Sequence, residues 1–214
     1  MNPPSLPATI PNWIDGKECA AVSGETFEKL SPDSGRKLYN AARSGPRDVQ
    51  QAIQAARNAQ PAWAELTPVQ RGDSLHEIAQ AMRKYQKEIA AIVAMETGMS
   101  FNAALGETGG AIAEGEFMAG EGRRFYGRTT TSAVPGKYAM TVRQPLGVAG
   151  LIIAANTPIA NVAWKVFPAL VCGNAAVLKA AEDTPATAWF FARIAHEVGQ
   201  PRGVLNVIQG QGAV

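Results

Sequence analysis

VAGLIIAANTPIANVAWKVFPALVCGNAAVLK, residues 148–179, decides the fold class of this chain. Its first part, Val148 to Ala155, is an uninterrupted apolar run, which predicts a strand buried on both faces. Thr157-Pro158 then predicts the start of a helix, and Gly173-Asn174 predicts its end. A second apolar run, Ala175 to Leu178, follows at once and predicts another buried strand.

The residues that follow repeat this pattern. A second helix is predicted from Thr187 to Val198, and a third strand from Val204 to Ile208. The order strand, helix, strand, helix, strand is typical of a parallel sheet with right-handed crossovers. The sequence therefore predicts an α/β fold in which residues 146–214 form a partial Rossmann-like parallel sheet (βαβαβ).

Residues 46–127 are predicted to form a helical segment. Apolar positions from Val49 to Trp63 recur at helical spacing, and Thr67-Pro68 supplies the N-cap and first-turn proline of a helix that ends at Gly98. A third helical stretch, roughly 100–126, contains six glycines. Each glycine costs about 1 kcal/mol relative to alanine inside a helix, so we expect packing against neighbours to hold this stretch together.

The two remaining segments are predicted to be extended. Residues 1–45 contain turn pairs such as Asp15-Gly16 and Ser23-Gly24 between short strand-like stretches, which predicts hairpins lying outside the core. Residues 128–145 carry threonine, valine and tyrosine around Pro135-Gly136. This pattern predicts two extended stretches joined by a turn.

Composition and charge favour a small-molecule partner. The chain has 214 residues, of which 46% are apolar, so it is long enough to bury a sizeable core. A net charge of +2, from 20 basic and 18 acidic residues, gives no field that would attract nucleic acid or a membrane surface. No run is long enough to span a bilayer, and the first residues do not resemble a signal peptide. We expect a cytoplasmic protein that binds neither nucleic acid nor membrane.

The cysteines and histidines predict neither a reactive thiol nor a metal site. Cys19 and Cys172 form no disulfide framework and lack metal-ligand spacing. Because the carboxyl end of a helix disfavours an anion, we expect Cys172 to be a packing residue rather than a nucleophile. His76 and His196 each lie in a predicted amphipathic helix, where we expect them to be hydrogen-bonded or solvated.

Candidate binding residues follow the predicted strands, because ligands of open parallel sheets lie beyond the carboxyl ends of the strands. After the first strand, Asn156 could donate to a developing oxyanion or satisfy the backbone before the helix. After the second, Lys179 and Glu182 could contact a ribose or simply be solvated. After the third, Gly210 and Gly212 could admit a cofactor or form a turn. The usual G-x-G-x-x-G fingerprint is missing after the first strand.

Several ordered blocks of the sequence resemble the aldehyde dehydrogenase superfamily. The specific blocks are Pro145-Leu146-Gly147-Val148, Ile152 to Pro158, Trp164-Lys165, Pro168 to Asn174, Lys179 to Pro185, and Gly203 to Val207 with Gly210 and Gly212. Weaker likeness extends to Ser31 to Gly35, the helix from Asp48 to Trp63, and Glu96-Thr97-Gly98. The resemblance implies the amino-terminal portion of an NAD(P)-dependent enzyme that oxidises a small-molecule aldehyde to a carboxylic acid.

The resemblance also implies roles for individual residues. Asn156 would contribute to the oxyanion hole, and Lys179 and Glu182 would contact the adenosine ribose. The residues implied to line the cofactor are Ile152, Ile153, Ala154, Ala155, Asn156, Lys179, Ala180, Ala181, Glu182, Gly210 and Gly212. The implied cofactor is NAD, because the Glu182 carboxylate would repel a 2′-phosphate; NADP stays possible, because Lys179 could accept one.

The resemblance further implies that residues 128–145 are part of an oligomerisation arm, and that the enzyme is a homodimer or homotetramer. Ala154-Ala155 stand where many members have proline and tryptophan. Members also continue through a phosphate loop, a general base and a cysteine nucleophile, so we expect this chain alone to be inactive. Two alternatives stay open: a CoA-acylating aldehyde dehydrogenase, and a non-catalytic nucleotide-binding or assembly module whose last strand would present an open edge.

Overall fold

The computed structural model describes residues 5–212. Strands and helices alternate in the second half of the chain and are separated into blocks in the first half. The strands are β1 (Thr9–Ile10), β2 (Asn12–Ile14), β3 (Lys17–Cys19), β4 (Thr26–Leu30), β5 (Lys37–Ala42), β6 (Thr129–Thr131), β7 (Tyr138–Met140), β8 (Val148–Ile152), β9 (Ala175–Lys179) and β10 (Leu205–Ile208). The helices are α1 (Pro46–Glu65), α2 (Pro68–Lys84), α3 (Gln86–Thr97), α4 (Phe101–Glu121), α5 (Pro158–Val171) and α6 (Pro185–Glu197).

The predicted parallel sheet is confirmed. β8, β9 and β10 pair in parallel, and α5 and α6 are their crossover helices. α1 covers one face of the sheet through Ala52 and Ala56, while α5 and α6 pack on the other face. The molecule is therefore a mixed α/β structure in which helices lie on both faces of the sheet.

Two of the amino-terminal strands, β2 and β3, join this sheet, and the other three form a separate sheet in the order β1-β5-β4. The prediction that these strands lie outside the core is wrong. The strand order is β3-β2-β10-β9-β8, and β2 pairs antiparallel with β10 at Trp13 and Val207. Ile10 and Trp13 are buried in the main hydrophobic core. The turn pairs correctly indicated short strands, but pairing with a strand almost two hundred residues away leaves no local pattern.

β10 is consequently an internal strand, and the predicted open edge is not there. This removes the observation that motivated the assembly-module alternative. Among residues 5–212, β8 pairs with β9 alone, and the side chain of Ile152 at its end is 73% exposed. The predicted burial is thus confirmed for β9, whereas burial on both faces is wrong for β8.

Two helices, α2 and α3, replace the single helix predicted up to Gly98. Tyr85 separates them with φ −97° and ψ 17°, outside helical geometry. Its hydroxyl donates to Glu197 at 2.8 Å, and its ring packs edge-on against Phe190. The apolar stripe continues across the break, so helical spacing alone could not show it.

Glycine-rich α4 is held by its neighbours, as predicted. A Cβ atom added to Gly115 would lie 2.7 Å from Cζ of Phe167 on α5 and 3.1 Å from Cβ of Ala79 on α2. Gly72 on α2 likewise lies directly against the backbone carbonyl of Ala119 on α4. The small residues let α4 approach both helices closely.

β6 and β7 form a separate two-stranded hairpin within residues 128–145, where two extended stretches were predicted. Every residue of both strands is exposed.

None of the helices in the described part of the chain combines the length and apolar character that a membrane span requires.

Candidate functional site

Three groups of predicted site residues meet at one edge of the parallel sheet. Lys179 is the last residue of β9 and pairs in register with Ile152 of β8 and Ile208 of β10. The loop holding Asn156 follows β8, and Gly210 follows β10. Because the strands are parallel, their carboxyl ends lie side by side, as the sequence predicted.

Lys179 and Glu182 form an ion pair at the centre of this edge. Nζ of Lys179 lies 2.9 Å from Oε2 of Glu182, and the two side chains are 20% and 47% exposed. The hydrogen bond from Lys179 lowers the pKa of the Glu182 carboxyl, so that carboxylate is ionised at neutral pH. The pair keeps solvent-facing oxygen and nitrogen atoms that can bind hydroxyl groups.

The glycines after β10 leave room beside this pair. A Cβ atom on Gly212 would lie 4.0 Å from Oε1 of Glu182, so a longer side chain would crowd the carboxylate. Gly210 has φ +154°, in the region that favours glycine, and a Cβ there would lie 3.4 Å from the carbonyl oxygen of Ser44. Both positions therefore fit a close backbone turn at the mouth of the site.

Two cavities adjoin Lys179. One of about 370 Å³ lies between the start of α1 and the end of β10, and Gln209 and Gly210 are among its lining residues. The other, of about 460 Å³, lies over the sheet beside α1 and is lined mainly by apolar side chains such as Ile53 and Val177. A few polar groups beside an apolar wall are typical of small-molecule binding sites.

Not every predicted lining residue faces this edge with its side chain. Ile153 is 5% exposed, and Ala180 and Ala181 are also buried, so these three can offer a ligand only backbone atoms. Ile152 and Ala154 are exposed. The predicted cofactor contacts of all five residues stay predictions.

Asn156 is exposed, and it does not cap the following helix. The N-cap of α5 is Thr157, which makes no side-chain capping bond. Oδ1 of Asn156 accepts a hydrogen bond from Nδ2 of Asn161 at 3.3 Å. Within residues 5–212 its own Nδ2 has no hydrogen-bond acceptor, so this amide group is available to an external oxygen.

Glu107 of α4 occupies the N-terminus of α5 instead. Its Oε1 accepts hydrogen bonds from the backbone N–H groups of Ile159 at 2.9 Å and Ala160 at 3.1 Å. Its Oε2 is buried and has no hydrogen-bond partner among the residues that the structure describes. Burial raises the pKa of Glu107, although the two backbone donors oppose this effect.

Glu96 of α3 occupies the N-terminus of α6 in the same way. Its carboxylate accepts from the N–H groups of Ala186 at 2.8 Å and Thr187 at 3.0 Å, and from the Thr187 hydroxyl at 2.6 Å. The hydroxyl of Tyr39 is a fourth donor. Glu96 is 1% exposed, and burial raises its pKa.

These two carboxylates occupy positions that matter in dinucleotide-binding folds. In dinucleotide folds the N-terminus of a crossover helix binds the pyrophosphate. Here Glu107 and Glu96 already bond the N–H groups of α5 and α6. Two backbone N–H groups at the start of each helix are therefore already bonded to a carboxylate of this chain.

Sequence reasoning did not identify Glu96 or Glu107 as site residues. A signal was present for Glu96, which continues the buried stripe of Ile89, Ile92 and Val93 at helical spacing. A carboxylate on an apolar stripe predicts a buried partner, because an unpaired buried charge is strongly destabilising.

Cys172 lies at the opposite end of the sheet, just after α5. It is exposed and lines a cavity of about 720 Å³ together with Arg71 and Arg143, so the predicted packing role is wrong. Partial desolvation raises the pKa of its thiol despite these two arginines. A raised pKa does not favour a nucleophile.

His76 and His196 are both exposed, which agrees with the expectation that they are hydrogen-bonded or solvated.

Known proteins match this chain along nearly its whole length. A family model described as the aldehyde dehydrogenase family matches residues 19–214. An alpha-ketoglutaric semialdehyde dehydrogenase of Bacillus subtilis is 36% identical over 207 residues, which are 96% of this chain and 42% of that protein.

Solved structures give the same result. The crystal structure of an NADP-dependent enzyme of E. coli matches with a TM-score of 0.93 and 34% identity. The match covers 96% of this chain and 43% of that enzyme's chain. An NAD-dependent aldehyde dehydrogenase from Sinorhizobium meliloti has a TM-score of 0.92 and 31% identity, with 96% and 41% coverage. The chain thus spans about two fifths of the length of the relatives it matches.

Proposed function

Because this chain belongs to the aldehyde dehydrogenase family, we propose that it contributes the ribose-binding pair and an oxyanion donor to an enzyme that oxidises a small-molecule aldehyde to a carboxylic acid with NAD. The observation that carries this proposal is the common sheet edge, where the Lys179–Glu182 pair and the loop holding Asn156 follow adjacent parallel strands. Relatives described as NAD-dependent and NADP-dependent support a nicotinamide cofactor.

Lys179 and Glu182 fit the ribose of such a cofactor. The ionised carboxylate of Glu182 accepts hydrogen bonds from ribose hydroxyls, and the ammonium of Lys179 donates to them. The same carboxylate repels a 2′-phosphate, which favours NAD over NADP. The open space above Gly212 admits the sugar beside this pair.

Asn156 supplies the oxyanion donor in this proposal. Its unbonded Nδ2 group donates to the aldehyde oxygen as negative charge develops there. The negative charge arises when a nucleophile adds to the aldehyde carbon; a nicotinamide cofactor, when bound, would then accept the hydride from that carbon, and water would release the acid. The chain's own part is to hold the oxygen and to orient the ribose.

A titration of the 214-residue chain with NAD tests the binding half of the proposal. Backbone and side-chain NMR signals should shift at Lys179, Glu182 and Gly212. Removing a charged hydrogen-bond donor in Lys179→Ala should weaken binding by about tenfold. Cys172→Ala is the control, because Cys172 lies beyond the other end of the sheet. Absence of NAD binding, or greater loss in Cys172→Ala than in Lys179→Ala, would contradict the proposal.

We further propose that the β6–β7 hairpin packs against a second copy of the chain. An isolated two-stranded hairpin is at best marginally stable. Large apolar side chains are exposed along it and its flanks, namely Tyr126, Val134, Tyr138, Met140, Val142 and Leu146. Light scattering should show a smaller species for the double variant Tyr138→Ser/Met140→Ser. A wild-type chain that is monomeric at millimolar concentration would exclude this contact.

A further inference from the structure

Asn161 contacts the loop that carries the candidate oxyanion donor. It lies in the first turns of α5, and its Nδ2 is 3.3 Å from Oδ1 of Asn156. The same nitrogen is 3.2 Å from Oγ1 of Thr157 and 3.4 Å from the carbonyl oxygen of Ala154. One side-chain amide therefore ties the loop after β8 to the helix that follows it.

This contact selects one orientation of the Asn156 amide. A carboxamide has an accepting oxygen and a donating NH₂ group, and the two ends can exchange by rotation. With the Asn161 donor beside Oδ1, the NH₂ group of Asn156 is directed away from α5. The exchanged orientation would place two NH₂ groups against each other and lose the hydrogen bond.

Glu107 stabilises the first turn of α5, which contains Asn161. Its Oε1 bonds the N–H groups of Ile159 and Ala160, which immediately precede Asn161. Glu107 itself is carried by α4, which packs closely on α5 where Gly115 meets Phe167. The position of Asn156 is thus connected, through two side chains, to the helical layer.

We propose that Asn161 is a positioning residue that aims the NH₂ group of Asn156 at the substrate oxygen, and that Glu107 holds the turn on which Asn161 depends. The catalytic meaning of this arrangement rests on the proposed function. The arrangement itself is measurable without any activity.

The first experiment measures the side chain of Asn156 directly in the 214-residue chain. Three-bond NMR couplings from its β protons to Nδ2, which report the χ2 angle, should show a single amide orientation in the wild type. They should show averaged orientations in Asn161→Ala and the exchanged orientation in Asn161→Asp, whose carboxylate can only accept a hydrogen bond. Lys165→Ala is the control, because Lys165 is exposed one turn further along α5. Unchanged couplings in both Asn161 variants would overturn the proposal.

The second measurement follows hydrogen exchange of the Ile159 and Ala160 amides. Loss of the acceptor in Glu107→Ala should speed their exchange by about tenfold, since a part-buried hydrogen bond to each amide is removed. Glu107→Gln, which keeps an acceptor oxygen, should give a smaller change and is the variant of choice if Glu107→Ala does not fold. Glu114→Ala on the same helix is the control. Equal exchange in wild type and both Glu107 variants would remove Glu107 from the proposal.

A double-mutant cycle tests the catalytic consequence. It is measured in the full-length aldehyde-oxidising enzyme that the proposed function requires, because the 214-residue chain alone is expected to be inactive. Asn161→Ala should lower kcat by about tenfold and leave the KM for NAD unchanged, since misplacement of a donor reduces transition-state stabilisation. On an Asn156→Ala background the same change should have no further effect. Additive losses would contradict a positioning role. If the wild-type enzyme oxidises no aldehyde, the proposed function fails, while the NMR couplings still decide how Asn156 is held.

Discussion

Glu96 shows how one side chain joins three parts of the molecule. The carboxylate comes from α3, and its donors come from β5 through Tyr39 and from the first turn of α6 through Ala186 and Thr187. It has almost no solvent contact. Because α6 begins directly after the loop holding Glu182, this network also supports the proposed ribose-binding loop.

The stability of the chain should depend on pH through Glu96. Burial raises its pKa, so the folded chain binds this proton more tightly than the unfolded chain, in which glutamate titrates near 4.3. The stability that it contributes is therefore complete below about pH 4 and is lost as the pH rises through the folded pKa. Between pH 4 and 8, the free energy of unfolding measured with urea should fall more steeply with rising pH in the wild type than in Glu96→Gln. Parallel curves for the two proteins would show that Glu96 does not titrate in this way.

Cofactor preference should respond to Glu182. Glu182→Gln removes the negative charge that opposes a 2′-phosphate, while Lys179 stays as a cation beside it. The ratio of NADP to NAD affinity should rise by about tenfold, the effect of roughly 1.4 kcal/mol. Asp183→Asn is a matched control, since this neighbouring carboxylate forms no ion pair within the described residues. Calorimetric titration with each cofactor measures the ratio, and an equal shift in both variants would show a general charge effect.

Among the elements, α4 depends most on small residues. Gly115 leaves no space for a Cβ atom beside Phe167, whereas Gly110 has open space around its Cα. Gly115→Ala should therefore destabilise the fold by about 1–3 kcal/mol through overpacking. Gly110→Ala should stabilise it by up to about 1 kcal/mol through helix propensity. Urea unfolding measures both changes, and the same sign for both variants would refute this account of α4.

The sequence predicted elements well where a local pattern carries the information. The continuous apolar run from Ala175 to Leu178 correctly indicated β9, and Thr157-Pro158 correctly indicated the start of α5. The break at Tyr85 was missed because it depends on contacts with Glu197 and Phe190, which belong to a distant helix. Part of the site was predictable for the same reason, since strand ends in a parallel sheet meet at one edge. The helix-end carboxylates were not, since their partners come from other elements.

At the scale of the whole molecule, strand β2 is part of the central sheet, whereas the β6–β7 hairpin is separate from it. β2 completes the hydrogen bonding of β10, while the hairpin forms its own two-stranded sheet. Both segments show short extended patterns and turn residues, so their sequences do not distinguish these two roles. The distinction depends on a strand partner far away in the chain.

Deletion of each segment should separate these roles. Removing residues 1–19 leaves β10 without β2, and the thermal midpoint should fall by more than about 10 °C, or the transition should lose cooperativity. Replacing residues 129–140 with a short glycine-serine turn should change the midpoint by no more than about 2 °C. Circular dichroism at concentrations where light scattering shows monomers measures both. A stable amino-terminal deletion variant would contradict the placement of β2.

The pairing of β2 with β10 also constrains the time course of assembly. Asn12 accepts a hydrogen bond from the backbone of Gln209, across 197 positions of the chain. During synthesis the first of these strands emerges from the ribosome long before the last, and contacts between remote segments form slowly because a long loop must close. The central sheet therefore stays unfinished while almost all of these residues are translated, and β2 spends that interval as an unpaired edge that a chaperone could protect.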